Sequence, residues 1–569
     1  MAVILNMDLM AKYSKIGIDY GIMEKHIQNS KFNIEKVDGK EIHIEITPDR
    51  LDLASNEGMA YFISNLMGKP LKIGSIEESN YMAYVDAEKV SSRPCIGLAL
   101  VKGINLTDEE IKYMINYQEL LAKSIGNNRK IASIGLYPVN DKSFPLRYTG
   151  EDFDKIHFVP LDYNTPLSGF QILNEHPKGV MYRHLAGKKG LVIKDANNNI
   201  MSMVPITNSE MYGKISENTN FILVEVTGTI ERKVEEILNL MVFPFLLHSS
   251  KVMRMNIDYG NSKKITPNWN RRSMKIKKSF FSDTWGIDFR DEDLSNILSM
   301  QGYEVSVKND FFDIAIPPFR IDVLNDIDVV EDVGIAYGYD NIQPTQPSLY
   351  TEGLADEREE YYLSFENYFI GYGFTQSHNM ILGSYEDMHK ATLSPLKIKN
   401  PVSSLFDSIR PNIAFSLLQM ARTKKNLPYP QKFFERGIVV RKEDNINMRE
   451  ISIGCLWLQN GINYTDAKSI VDFILEHQGI KSTVTFVPSS KGFLLKGRGA
   501  DIKVGDIEIG FVGEVDVNVL RAFSLTMPSI AIELYLDELF FYKLSLMDYE
   551  LILDSSYALK IKGQNRLNI

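Results

Sequence analysis

Cys95 and Cys455 are the only two cysteines in 569 residues. So few exclude a disulfide-stapled fold and any zinc site built on several thiolates, and fit a chain working in a reducing cytoplasm. Long apolar runs are also missing. No stretch reaches the roughly 18 consecutive apolar residues that a membrane-spanning helix requires. The start, Met1-Ala-Val-Ile-Leu-Asn-Met-Asp8, lacks the basic region of a secretory signal, so no signal peptide is expected. Neither a Gly-x-x-x-x-Gly-Lys-Ser/Thr loop nor a strand-bound Gly-x-Gly-x-x-Gly occurs, which argues against a free-standing phosphotransferase with a glycine-rich phosphate cradle. There is no excess of basic charge either. The formal balance is −10, so any nucleic acid would be met by local patches rather than by the whole surface.

What is present is ordinary globular composition, with 44% hydrophobic and 24% charged residues. A chain this long divides into roughly three to five domains. From Asn261 to Phe280 lies one basic patch: Lys263, Lys264, Arg271, Arg272, Lys275, Lys277 and Lys278, with Trp269 among them and no acid. Its charge alone does not decide between a nucleic-acid contact and a solvated strand and loop.

Patterning predicts an α+β multidomain chain. Residues 1–80 read as a small α/β domain, with a strand at Lys40–Ile46 and a helix from Leu53 to Met67 that stops before Gly68. Residues 81–265 read as a larger α/β block. It holds a helix opened by Thr107 with acids in its first turn, a β-rich run from Phe221, and a helix ending near Met241. Residues 266–346 show strand, helix, hairpin, helix. Asp291 is the expected cap of the first helix, which carries Leu294, Ile297 and Leu298 on one face and stops at Gly302. The hairpin turns at Asn309-Asp310, and a second helix follows Pro317-Pro318 and runs to Gly338. Residues 347–545 alternate helical and strand signals as an antiparallel α+β domain would, leaving a tail at 546–569.

The sharpest local feature is Ile316-Pro-Pro-Phe-Arg-Ile-Asp322, followed by Asp328, Glu331 and Asp332. The spacing i, i+3, i+4 crowds the last three carboxylates on one helix face, and Asp322 can reach over it. A solvated acidic face near a helix start and a hard divalent cation such as magnesium both answer that repulsion.

The run from Pro317 through Ile342 resembles the magnesium-binding signature of phenylalanyl-tRNA synthetase β subunits of the archaeal/eukaryotic type. The likeness extends in order over about residues 1–540. It takes in Asp49-Arg-Leu-Asp-Leu-Ala-Ser-Asn-Glu-Gly58, Arg93-Pro-Cys95, Ile134-Gly-Leu-Tyr137, Phe158-Val-Pro-Leu161 and His176-Pro-Lys-Gly179. It continues through Pro205-Ile-Thr-Asn208, Glu225-Val-Thr-Gly-Thr229, Asn400-Pro401, Ile409-Arg-Pro411, Pro430 to Gly437 and Gly510 to Glu514. The resemblance implies an α2β2 heterotetramer that attaches phenylalanine to its tRNA, with ATP bound mainly by the separate α chain. It implies Mg2+ on Asp322, Asp328, Glu331 and Asp332. It also implies a helix/hairpin magnesium domain at 266–346 and a class II synthetase-like domain at 347–545 without catalytic residues. Residues 81–265 resemble the editing domain, which binds tRNA and hydrolyses tyrosyl-tRNA; the pattern places Ser202, Glu225 and Thr227 in its catalytic pocket, with Ile193 on the wall.

This sequence departs from that pattern in two places. Glu225 stands where the family usually has Asp, and the segments Gln118–Lys123 and Gly126–Lys130 are less basic and lack an expected histidine. These departures leave room for a paralogue that binds RNA or protein without supporting aminoacylation. His176 reads as a turn histidine, Cys95 as a buried small apolar residue, and Arg410 as a surface or interface arginine.

Overall fold

The computed structural model describes residues 2–545 except Lys15, Ile16, Ile18, Asp19, Asn29, Lys31, Ser249, Asp444 and Asn445. The tail expected at 546–569 lies outside the described residues. The chain is a mixed α+β molecule of two compact units that part between Gln346 and Pro347. Among the described residues no helix is long and apolar enough to cross a membrane.

At the start of the first unit, Glu41–Glu45 is the middle strand of an antiparallel three-stranded sheet with Ala2–Asn6 and Asn33–Asp38. Ile42 and Ile44 point into the core, as strict alternation dictates. A short 3-10 turn, Leu51–Ala54, then leads into helix Asn56–Leu66, where the Ser55 hydroxyl accepts from Gly58 N. A Cβ at Gly58 would stand 1.8 Å from the Asp52 carbonyl oxygen, which explains the glycine of the 49–58 motif. The chain leaves this helix through Gly68 at φ +69°, a left-handed exit that glycine adopts without strain.

An eleven-stranded sheet follows. Its main path runs Thr207–Asn208, Ile200–Val204, Gly190–Lys194, Leu146–Glu151, Met82–Val85, Lys251–Asp258, Cys95–Lys102, Phe221–Gly228 and Ala132–Pro138. Ile200–Val204 and Ala132–Pro138 are seven strand steps apart, about 34 Å if the sheet were flat. Yet Tyr137 Oη of one lies 3.0 Å from Ser202 Oγ of the other. The sheet therefore curls until its two ends meet, and Tyr137 and Ser202 face each other inside the curl. Helix Asp108–Lys123 packs outside it, with the expected Thr107 cap completed by Glu110. Helix Glu231–Phe245 runs four residues past the expected end and carries Pro244 in its last turn.

The 266–346 segment holds a three-stranded antiparallel sheet, Glu304–Lys308, Phe311–Ile316 and Arg272–Lys277, with Phe311–Ile316 in the middle. Asn309 turns the hairpin at φ +46°. Two helices precede the hairpin rather than one, Lys278–Trp285 and Asp291–Met300. Asp291 is the first helical residue and not the cap, which is Arg290 without a side-chain bond. The last helix spans Asp326–Tyr337, so it begins eight residues beyond Pro318.

The second unit is built on a seven-stranded sheet. Only Thr375–Gln376 runs parallel to its neighbour, Gln431–Glu443; the other pairings are antiparallel. Alternate residues feed two cores. Phe434, Ile453, Cys455, Ile530 and Ile532 join helices Glu357–Gly371 and Tyr464–His477, whereas Val439, Leu456, Leu458 and Ala531 join helix Ile413–Thr423. Both faces of this sheet are therefore covered.

Candidate functional site

The curl of the large sheet brings Ser202 and Glu225 to one small pocket, whereas Thr227 and Ile193 do not line it, and the Thr227 hydroxyl is bonded to Arg93 and Ser133. On Phe221–Gly228, alternation sends Glu225 and Thr227 to the inside while Val224 and Val226 face the outer core. Ser202 arrives from the far end of the sheet and Ile193 pairs directly opposite it. Tyr137 Oη joins the two ends, 3.0 Å from Ser202 Oγ, 3.0 Å from Glu225 Oε2 and 3.4 Å from Asn208 Oδ1. Gly135, the register partner of Glu225, makes room for this contact. A Cβ there would stand 2.2 Å from Tyr137 Oη and 2.6 Å from Glu225 Oε2.

Glu225 is only 2% exposed. Burial pushes its carboxyl up to about 7, against the opposing pull of the Thr227 and Tyr137 hydroxyls and the Arg93 charge. Its Oε1 is buried without a hydrogen-bond partner among the described residues. The pocket in front of it has a volume of about 40 Å³, and its lining includes Gln118, Arg129, Ser202 and Lys178. That is space for a few waters and no more.

Thr227 is held rather than free. Arg93 Nε donates to its hydroxyl (3.2 Å), Arg93 Nη2 donates to its carbonyl (2.8 Å) and to Ser133 Oγ (3.1 Å), and Arg93 Nη1 donates to the Arg129 carbonyl (3.1 Å). Arg129 donates to the carbonyls of Pro205 and Ile206 and pairs with Glu119 at 2.9 Å. The departing segment Gly126–Lys130 thus still delivers a cation to the pocket. It does so through a run of left-handed residues, Asn127, Asn128 and Arg129 at φ +49°, +50° and +67°.

Arg93, Arg129, Ser133 and Tyr137 were not assigned to the site from sequence. Arg93 and Tyr137 lie within the motifs that carry the family resemblance, but no periodicity connects them across the sheet. His176 bears out its turn reading: it precedes helix Pro177–Tyr182 and bonds the Leu161 carbonyl through Nε2 at 3.2 Å. Cys95 is half-buried rather than buried.

The acidic constellation is arranged differently from the expectation. Arg320 Nη2 lies 2.7 Å from Asp322 Oδ2 and 2.5 Å from Asp332 Oδ2, and Tyr303 donates to Asp332. Arg50, from the motif at 49–58, stands 3.9 Å from Asp322 and 3.8 Å from Asp332 while pairing with Asp52 at 2.9 Å. Although burial opposes it, the arginines hold the Asp322 carboxyl down at about 2. Asp328 turns back on its own helix and accepts from Leu324 N and Asn325 N, both at 2.7 Å. Glu331 is half-buried on the same helix. As arranged, Asp322, Asp328, Glu331 and Asp332 do not fit a shared magnesium ion. Arginine supplies the counter-charge, and among the described residues no three acids, histidines or cysteines gather into a metal-holding group.

The basic run 261–280 is also largely used internally. Lys264 pairs with Glu231, Arg271 with Glu304 and Lys278 with Asp291, and Arg272 donates to the carbonyls of Arg320 and Val323.

In the second unit Arg410 is not a surface arginine. It is 1% exposed, 2.6 Å from Glu435, and bonded to Ser416 and the Ile438 carbonyl. Gly437 leaves it room, since a Cβ there would stand 2.2 Å from Arg410 Nη2.

Comparison with known proteins defines the class first. Residues 274–339 match the tRNA synthetase B5 domain and residues 342–536 the phenylalanyl tRNA synthetase beta chain CLM domain. The phenylalanine–tRNA ligase beta subunit of Thermococcus sibiricus is 30% identical over 499 residues, covering 86% of this chain and 89% of that protein. Its counterpart in Pyrococcus abyssi is 29% identical over 86% of this chain and 90% of its own length. An N-terminal fragment of the Pyrococcus horikoshii phenylalanyl-tRNA synthetase beta subunit superposes with a TM-score of 0.57. It is 25% identical and covers 59% of this chain and 99% of the fragment. The chain belongs to the family of phenylalanine–tRNA ligase beta subunits.

Proposed function

We propose that this chain is the non-aminoacylating partner in a two-component phenylalanine–tRNA ligase, acting in the cytoplasm with a separate α chain as an α2β2 assembly. In this reading residues 1–80 and 266–346 serve assembly, and tRNA is bound by residues 81–265. Residues 347–545 are a synthetase-like domain without catalytic residues, and residues 81–265 hydrolyse tyrosine wrongly attached to tRNA. Support for the division of labour comes from Arg410, whose charge is taken by Glu435 in the core and not offered to ATP phosphates. An apolar phenylalanine pocket cannot strongly reject an analogue that merely adds a hydroxyl, so a second sieve has chemical value.

The observation that carries the hydrolytic reading is Glu225, a buried carboxyl at about 7 whose Oε1 has no hydrogen-bond partner among the described residues and which is one of the residues lining a small polar pocket. A carboxyl near neutral pH can take a proton from water as it attacks an ester carbonyl and return it to the departing ribose oxygen. Lys178 and Arg129, the latter paired with Glu119, stand among the lining residues, and guanidinium and ammonium N–H groups can donate to the oxygen on which negative charge develops. Ser202 supplies a hydroxyl for recognition, and Arg93 fixes Thr227.

Two measurements test the proposal. The chain alone should not exchange pyrophosphate with phenylalanine and ATP, whereas a four-chain complex with its α partner should; strong exchange by the isolated chain would overturn the division of labour. The assembled enzyme should hydrolyse tyrosyl-tRNA faster than phenylalanyl-tRNA, and Glu225→Ala should abolish that hydrolysis while leaving phenylalanine activation intact. Equal hydrolysis with and without Glu225 would remove the carboxyl from the mechanism.

A further inference from the structure

We infer that Tyr137 is a built-in occupant of the Glu225 pocket, its phenol filling the position that an incoming phenol ring would take, so that the pocket admits a tyrosyl group only when Tyr137 moves out. The inference rests on the hydrolytic reading above. Three observations carry it.

The first is that the recognition groups are already engaged. A phenol hydroxyl has one proton to donate and lone pairs to accept with. The Tyr137 hydroxyl sits 3.0 Å from both Ser202 Oγ and Glu225 Oε2, so a carboxylate acceptor and a hydroxyl serve a tyrosine that belongs to the chain itself. The second concerns space. The remaining pocket is about 40 Å³, room for water but not for an aromatic ring. Third, the surroundings are shaped around this phenol. Gly135 presents no side chain where a Cβ would stand 2.2 Å from Tyr137 Oη, and Ile193 and Leu223 pack in the same apolar cluster as the ring. Tyr137 also stands on the outermost strand of the sheet path, Ala132–Pro138, which has only one strand neighbour, Phe221–Gly228. An edge strand can shift without breaking a second ladder, and Pro138 ends it without offering a further N–H.

Tyr137 is thus a specificity-determining residue that competes with substrate, and its displacement is the step that opens the site.

The test uses p-cresol, the side chain of tyrosine without its backbone, and toluene, the same molecule without its hydroxyl. Both are titrated calorimetrically into the full chain carrying Tyr137→Val or Tyr137→Phe and into the unmodified chain. Tyr137→Val should bind p-cresol at least tenfold more tightly than the unmodified chain does, and at least tenfold more tightly than it binds toluene. Tyr137→Phe keeps the ring and the fold, and should bind neither. Equal p-cresol affinity in the unmodified chain and Tyr137→Val, equal affinity for p-cresol and toluene, or p-cresol binding by Tyr137→Phe would each overturn the inference. Hydrolysis is then read separately with the α partner. Faster tyrosyl-tRNA hydrolysis by Tyr137→Val supports both readings. If Tyr137→Val binds p-cresol but neither form of the assembled enzyme hydrolyses tyrosyl-tRNA, the self-occupied pocket stands and the hydrolytic reading falls.

Discussion

At the scale of single residues, much of this chain's chemistry depends on charges kept away from water. Glu225 is the clearest case, and its consequence is measurable. A carboxyl raised by burial holds its proton more tightly in the folded than in the unfolded chain. Folding is therefore favoured at and below the ordinary carboxylate range, and the advantage is lost as pH rises from about 4.5 through about 7. A shift of that size corresponds to about 3 kcal/mol. Stability measured by denaturant titration should fall between pH 5 and pH 8, and Glu225→Gln, which has no proton to lose, should flatten that part of the profile. Glu533 and Glu450, pushed by burial to about 7 and about 8, add a slope of the same sign. Asp322 acts in the opposite sense. Held at about 2, it contributes stability above its ordinary 3.8 that disappears only as the solution becomes strongly acid. Space matters as much as charge at Gly135. Gly135→Ala drives a methyl into Tyr137 Oη and the Glu225 carboxylate, and should cost about 1–3 kcal/mol, as overpacking does, seen as a lower denaturation midpoint.

At the scale of elements, two helices show what the sequence could and could not convey. The Asp326–Tyr337 helix is legible as a helix, and so is the crowding of Asp328, Glu331 and Asp332. The remedy for that crowding was not legible, because Arg50 lies in another element and Arg320 reads only as part of a motif. Asp328 closes a capping box with Asn325, so Asp328→Ala should destabilise by about 1 kcal/mol. The loss should be the same with and without millimolar magnesium in a thermal melt; a loss that appears only with magnesium would restore a cation to this face. Helix Ile413–Thr423 is likewise clear from its apolar period, yet its anchoring depends on pairings far along the chain. Glu533 accepts from Ile413 N at 2.7 Å, and Arg410 just before the helix pairs with Glu435. Removing one partner, as in Arg410→Ala, leaves a buried charge uncompensated and should cost about 3–5 kcal/mol. Replacing Arg410 and Glu435 together by Met and Leu should recover most of that in equilibrium unfolding.

At the scale of the whole chain, strands and helix stops could be read in advance, because period-2 and period-3.6 patterns and glycine exits are local signals, whereas Ser202, Glu225 and Thr227 were marked only by the family resemblance. Curling of the large sheet was not legible. It is decided by pairings between distant segments, such as Ile76 with Val252 and Met82 with Asn256, and it alone turns Tyr137 from one residue of a motif into the occupant of a pocket. Distance along the chain has one more effect, through Arg50. Its acidic partners Asp322 and Asp332 are made about 280 residues later, and at typical rates of synthesis that interval is roughly a quarter of a minute to a minute. Until then the acids near Arg50 in sequence are Asp49 and Asp52. The N-terminal domain is therefore synthesised well before the two carboxylates that its buried Arg50 meets in the folded unit.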